Sequence, residues 1–121
     1  MSISNEALQK LVNEIQSQAI QAEQQISVVK SQISIKQREI RLLELTSTEV
    51  STLPPNTNVY EGVGKMFVFS PTADVDKRLN SETKDLKLDI DNLGKKLQYL
   101  ETTYEKSTEN IARILQSGGR A

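Results

Sequence analysis

Few residues of this chain could carry out covalent chemistry. Histidine and cysteine are both absent. That removes the commonest general base, the thiolate nucleophile and the usual transition-metal ligands. Carboxylates, amines and phenols remain. Glu82, Asp85, Asp89 and Asp91 lie close enough in sequence to suggest a hard-cation site. They fall on a helix face interleaved with Lys84, Lys87 and Lys95, however, which is the pattern of a solvated, salt-bridged surface. Gly62-Val63-Gly64 is a fragment of a phosphate-binding loop, without the third glycine, the lysine at its place in that pattern and the helix that should follow, so a turn is the better account. Tyr104 sits in a hydrophobic repeat and is expected to act as a core spacer rather than an active phenol. The expectation is a protein with no catalytic residue, no cofactor and no metal, and therefore not an enzyme.

Composition narrows the class further. The chain has 121 residues, enough for one domain. Only 36% are hydrophobic and 4% aromatic, which is thin for a globular core. The 15 basic residues are balanced by 16 acidic ones. A net charge of -1 offers no footprint for nucleic acid or for an anionic membrane surface. The longest apolar run, Met66 to Phe69, is far too short to span a bilayer, and Met1 to Asn5 lacks the basic and apolar regions of a signal peptide. A soluble cytoplasmic protein is expected, and the lack of cysteine fits a reducing compartment.

The apolar residues that are present lie on two stripes. In the first segment they fall at Leu8, Val12, Ile15, Ala19, Ala22, Ile26, Val29, Ile33, Ile40 and Leu43, alternating by four and three with one break at Lys36. In the second they fall at Leu79, Leu86, Ile90, Leu93, Leu97, Leu100, Tyr104, Ile111 and Ile114, with Thr83 and Ser107 as polar interruptions. This spacing lays a narrow seam along a helix, and a seam must be covered by another. The nearest cover is the other half of the same chain, folded back antiparallel with both termini at one end.

Helix one is predicted over 4–45, starting at Ser4 as N-cap with Glu6 in the first turn. Its span is about 60 Å at the helical rise. Thr46-Ser47-Thr48-Glu49 reads as a capping box that restarts or kinks the helix within 46–57, before Pro54-Pro55 stops it. Strand chemistry follows over 58–69. Helix two is predicted over 70–116, with Ser70 as its cap and Pro71 at its first position. Ser117 to Gly119 should end it, leaving a frayed tail to Ala121. The whole, 1–121, reads as a single domain. Lys36 either snorkels to water or sets register and partner choice. Gly94, inside helix two, either permits another backbone to approach or is a weak point.

The strand segment is the anomaly. Val59, Tyr60, Val63, Phe67, Val68 and Phe69 are β-branched or aromatic, and Gly62 and Gly64 supply backbone freedom for a tight reversal. Phe67 and Phe69 share one face while Met66 and Val68 share the other. A hairpin apolar on both faces needs cover on both, and its open edges invite pairing with another chain. Two arrangements stay open: association through the hairpin, as in a closed barrel, or a hairpin lying flat on the helices of its own chain.

The order helix, hairpin, helix, with Val59-Tyr60-Glu61-Gly62-Val63-Gly64-Lys65-Met66-Phe67 between two heptad arms, resembles the β-class subunits of prefoldin. Within that class the segment Tyr60 to Phe67, together with Leu45-Thr46-Ser47-Thr48-Glu49, is most similar to one subunit type of the eukaryotic complex. The likeness covers nearly the whole chain, and the single hairpin fits the β class. The resemblance implies a mainly α fold, an antiparallel two-helix coiled coil with one β-hairpin at its base. It implies a heterohexamer in which hairpins form an intersubunit β-barrel, and an ATP-independent chaperone that captures nascent or unfolded actin and tubulin and passes them to the cytosolic chaperonin. Carried over by residue, the assembly surface would be Val59, Tyr60, Gly62, Val63, Gly64, Met66, Phe67, Val68 and Phe69. The client-binding tips would hold Leu8, Leu11, Val12, Ile111, Ile114 and Leu115, where a fraying seam leaves apolar surface partly uncovered. The competing function is a structural coiled-coil tether whose hairpin docks on one fixed partner. An enzyme or a nucleic-acid-binding arm is the remote alternative.

Overall fold

The computed structural model of the chain describes residues 4–118. Four elements follow in order: α1 (Asn5–Ser51), β1 (Val59–Val63), β2 (Met66–Ser70) and α2 (Thr72–Gly118). Helix α2 runs two residues past the expected end at Gln116, through Ser117 to Gly118; Gly119, the tail Arg120-Ala121 and Met1 to Ile3 lie outside the described residues. Two compact units form. One takes residues up to Ile33 and from Leu93 onward, and the other runs Ser34–Asn92.

Helix α1 opens as its sequence dictates. The Ser4 carbonyl accepts from Leu8 N at 2.9 Å, and the Ser4 hydroxyl accepts from Ala7 N at 3.2 Å. A donor that the helix start would otherwise strand is thereby paired.

The helix does not break at Thr46. It continues through the proposed capping box to Ser51. The hydroxyls of Thr46 and Thr48 donate backward, to the carbonyls of Leu42 at 2.8 Å and Glu44 at 3.0 Å, instead of capping a new helix. The seam explains why: Ser47 and Val50 continue its alternation beyond Leu43 and are half-buried, so a restart would have cost the phase of the packing. Closure comes later. Thr52 N and Leu53 N donate to Glu49 and Val50 carbonyls, and the hydroxyls of Ser51 and Thr52 donate to Thr48 and Glu49 carbonyls. Three carbonyls of the last turn thus find partners without a glycine cap. A turn at Pro54 to Thr57 follows, with Pro55 second and Asn56 third at φ 67°, closed by Thr57 N on the Pro54 carbonyl. Proline second and a positive φ third is the type II pattern.

Helix α2 starts one step later than expected. Ser70 is the last residue of β2 and pairs with Val59. The carbonyl of Pro71 receives the first helical bonds, from Asp74 and Val75 N.

Burial follows the heptads. The buried apolar positions are Ala19, Ala22, Val29 and Leu100 in the first unit and Val75 and Leu79 in the second, with Val29 at 2% exposure. Ser107 is buried among them. Lys36, the break in the α1 stripe, is half-buried, and its Nζ reaches Asp89 Oδ2 on α2 at 3.4 Å. The amine therefore bridges the two helices. Both side chains keep solvent contact, so the pair contributes at most about 1 kcal/mol.

Candidate functional site

Strands β1 and β2 pair antiparallel in the register Val59 with Ser70, Tyr60 with Phe69, Glu61 with Val68, Gly62 with Phe67 and Val63 with Met66. The loop is therefore the two residues Gly64 and Lys65. Gly64 has φ 63°. A positive φ at the first loop residue alone matches the II′ hairpin, whose twist suits the flanking strands. Gly62 has a different task from the one its spacing suggested. It lies in the strand opposite Phe67, and a Cβ there would stand 3.9 Å from the Phe67 ring.

The register sorts the side chains into two faces. Tyr60, Gly62, Phe67 and Phe69 share one, with the Tyr60 and Phe69 rings edge-to-face at 6.1 Å. Val59, Glu61, Val63, Met66, Val68 and Ser70 share the other. The first face is exposed throughout, and the second is covered in part, with Val59, Glu61 and Ser70 half-buried. Tyr60, Val63, Met66, Phe67, Val68 and Phe69 are between 46 and 78% exposed, Phe67 the most. A hairpin lying flat on its own helices would bury one of these faces, and this one does not.

A polar tie links the hairpin to α2. Arg78 Nη2 meets Glu61 Oε1 at 3.1 Å, and Arg78 Nε lies 3.9 Å from Glu82 Oε1. This link was not expected from sequence, although a signal existed. Glu61 is the one charged side chain within an otherwise apolar or small strand pair and needs a countercharge when half-buried.

The other candidate residues belong to the first unit. Leu8, Val12, Ile111 and Ile114 are half-buried seam positions, and Leu11 and Leu115 are exposed beside them. Among the described residues, no seam position before Ala19 or after Ser107 is fully buried. All six therefore present apolar surface that the chain covers incompletely or not at all.

Two of the carboxylates set aside as surface pair with cations other than the lysines interleaved among them. Asp89 meets Lys36 across the seam, and Glu82 meets Arg78. Among the described residues no group of three or more acidic side chains is arranged to hold a metal ion, and no helix is long and apolar enough to cross a membrane.

Comparison with known proteins agrees with this geometry. The prefoldin subunit family profile matches residues 13–118. Probable prefoldin subunit 1 of Schizosaccharomyces pombe is 34% identical over 110 residues, covering 91% of this chain and 98% of that protein. Prefoldin subunit 1 of Mus musculus is 33% identical over 110 residues, covering 91% of this chain and 90% of the mouse protein. Among solved structures, the prefoldin beta subunit from Thermococcus strain KS-1 superposes with a TM-score of 0.76 at 21% identity, over 88% of this chain and 91% of that one. That likeness carries the fold, two long helices with one antiparallel hairpin. By profile, by curated relatives and by architecture, the chain belongs to the prefoldin subunit family and has the role of a chaperone subunit, with other prefoldin subunits as its partners.

Proposed function

We propose that the chain is one β-class subunit of a heterohexameric, ATP-independent chaperone of the cytoplasm. Its hairpin joins sister hairpins in an intersubunit β-barrel. Its helix ends hold unfolded clients of the actin and tubulin class, which the complex then passes to the cytosolic chaperonin. The observation that carries this reading is the exposure of both hairpin faces in a chain whose helices already cover each other. Burying an aromatic or aliphatic side chain stabilises by about 1.5–3 kcal/mol. The assembly surface comprises Val59, Tyr60, Gly62, Val63, Gly64, Met66, Phe67, Val68 and Phe69. Its strand edges offer unpaired backbone groups, and barrel closure would pair them.

Client holding needs a different kind of surface. Leu8, Leu11, Val12, Ile111, Ile114 and Leu115 offer small apolar contacts, each weak alone. Several such surfaces on one platform raise the effective concentration of the next contact and give avidity without a tight site. No step requires a nucleotide.

Truncation separates the two surfaces. Removing about the first and last dozen residues should leave the complex assembled, as read by native mass spectrometry. It should weaken suppression of aggregation of unfolded actin. If the shortened complex protects the client as well as the intact one, the helix ends are not the holding surface.

A further inference from the structure

Within the unit Ser34–Asn92, α1 and α2 leave a groove of about 410 Å³ along one flank of their seam. Leu42, Leu43 and Leu86 form its apolar part, and Glu39, Glu82 and Asp85 line its rim. Leu42 is 59% exposed, and Ile35, one heptad earlier on the same side of α1, is exposed as well. Two large aliphatic side chains seven residues apart, outside the seam, form the start of a second stripe on α1.

The charges are the unusual part. Positions that flank a two-helix seam normally carry opposite signs on the two helices. Here the flank has Glu39 on α1 and Glu82 and Asp85 on α2, all of one sign. Among the described residues no ion pair reaches Glu39 or Asp85. Arg78 touches Glu82 only at 3.9 Å, and its closer partner is Glu61. Lys36 is taken by Asp89. By their heptad positions, Arg38 falls on the outer face of α1, and Arg41, Lys84 and Lys87 lie toward the opposite flank. The three carboxylates therefore repel one another weakly in the folded chain and contribute nothing to its own pairing. A cationic occupant turns that repulsion into attraction.

We propose that this groove docks a cationic amphipathic helix of a partner protein. Leucine-like side chains of that helix would enter between Leu42, Leu43 and Leu86, and its flanking lysines or arginines would meet Glu39, Glu82 and Asp85. Helix-in-groove recognition uses such a division: aliphatic anchors supply affinity and the charged rim supplies orientation and selectivity. None of its lining residues belongs to the proposed assembly surface or to the proposed client-holding set.

The test uses the assembled complex containing the full chain. The probe is a labelled synthetic helix of about eighteen residues, leucine on one face and lysine beside it, and its counterpart carries glutamate in place of lysine. The lysine peptide should bind, and the glutamate peptide should not. Glu39→Gln with Asp85→Asn should weaken the lysine peptide about tenfold at low ionic strength and flatten its salt dependence. Leu42→Gln should weaken it at every salt concentration. The melting temperature of the charge variant should hold or rise, since a repulsion is removed. Failure of the lysine peptide to bind, equal binding of the two peptides, unchanged affinity in the charge variant or a fall in its melting temperature would each overturn the proposal.

Discussion

The helical seam and the β-hairpin use the same chemistry to opposite ends. In the seam, small and aliphatic side chains recur every three and four residues, and the chain covers them itself. Val29, Val75 and Leu79 have almost no exposure. In the hairpin, larger apolar side chains alternate across two strands, and the largest of them stay exposed on both faces. Phe67 is 78% exposed. The difference follows from geometry. Two antiparallel helices of 47 residues each offer each other matching stripes, so one polypeptide closes the account of its seam. Two five-residue strands have two faces and two edges. The Arg78 to Glu61 ion pair ties the hairpin to α2. On the proposed function, folding and assembly therefore fall to different residues.

Substitutions that touch only one side of this division sharpen it. The largest effect is expected from Phe67→Ser with Phe69→Ser. The account predicts loss of the subunit from its complex on native mass spectrometry, with the helical circular dichroism signal retained. Normal incorporation of that double variant would contradict the assembly role of the hairpin. The opposite case is Leu79→Ala in the seam. Truncating a leucine at 3% exposure should destabilise by about 2–5 kcal/mol in thermal or denaturant unfolding. A shift of only a few tenths would mean the seam is not the chain's core.

Smaller effects probe the junction. Gly64 at φ 63° has open space around a would-be Cβ. Gly64→Ala should therefore act through backbone strain alone, costing about 1–2 kcal/mol of hairpin order and slowing incorporation into the complex. Unaltered assembly kinetics would show that the turn is not preformed. The Glu61 to Arg78 pair, half exposed on the Arg side, should give a coupling of about 0.5–1 kcal/mol in a double-mutant cycle on assembly affinity. The charge swap Glu61→Arg with Arg78→Glu should recover part of what each single change loses. Additive singles with no recovery would reduce the pair to a surface contact.

The heptads made most of this legible in advance. Strict alternation from Leu8 to Leu43 and from Leu79 to Ile114 gave two helices and their shared seam, and the β-branched and aromatic run gave the hairpin. The error at Thr46 came from weighing a four-residue capping signal above a repeat that runs on through Ser47 and Val50. A local motif that would break the phase of a packed stripe loses to the stripe. Gly62 was misassigned because two glycines around Val63 look like a turn, whereas pairing places the reversal at Gly64-Lys65 and Gly62 within β1 opposite Phe67. The partners of Glu61 and Asp89 lie 17 and 53 residues away. Reading along a single helix or strand does not reach that far. The groove charges were visible as letters but were grouped by nearness in sequence rather than by flank of the seam.

The division between a self-covered seam and a hairpin completed by sister chains is tested most directly by amide hydrogen exchange, compared between the isolated chain and the assembled complex. The account predicts slow exchange along the inner turns of α1 and α2 in both, and fast exchange over Val59–Val63 and Met66–Ser70 that becomes slow only on assembly. Hairpin amides equally protected in the isolated chain, or helices that gain protection only together with the hairpin, would contradict it.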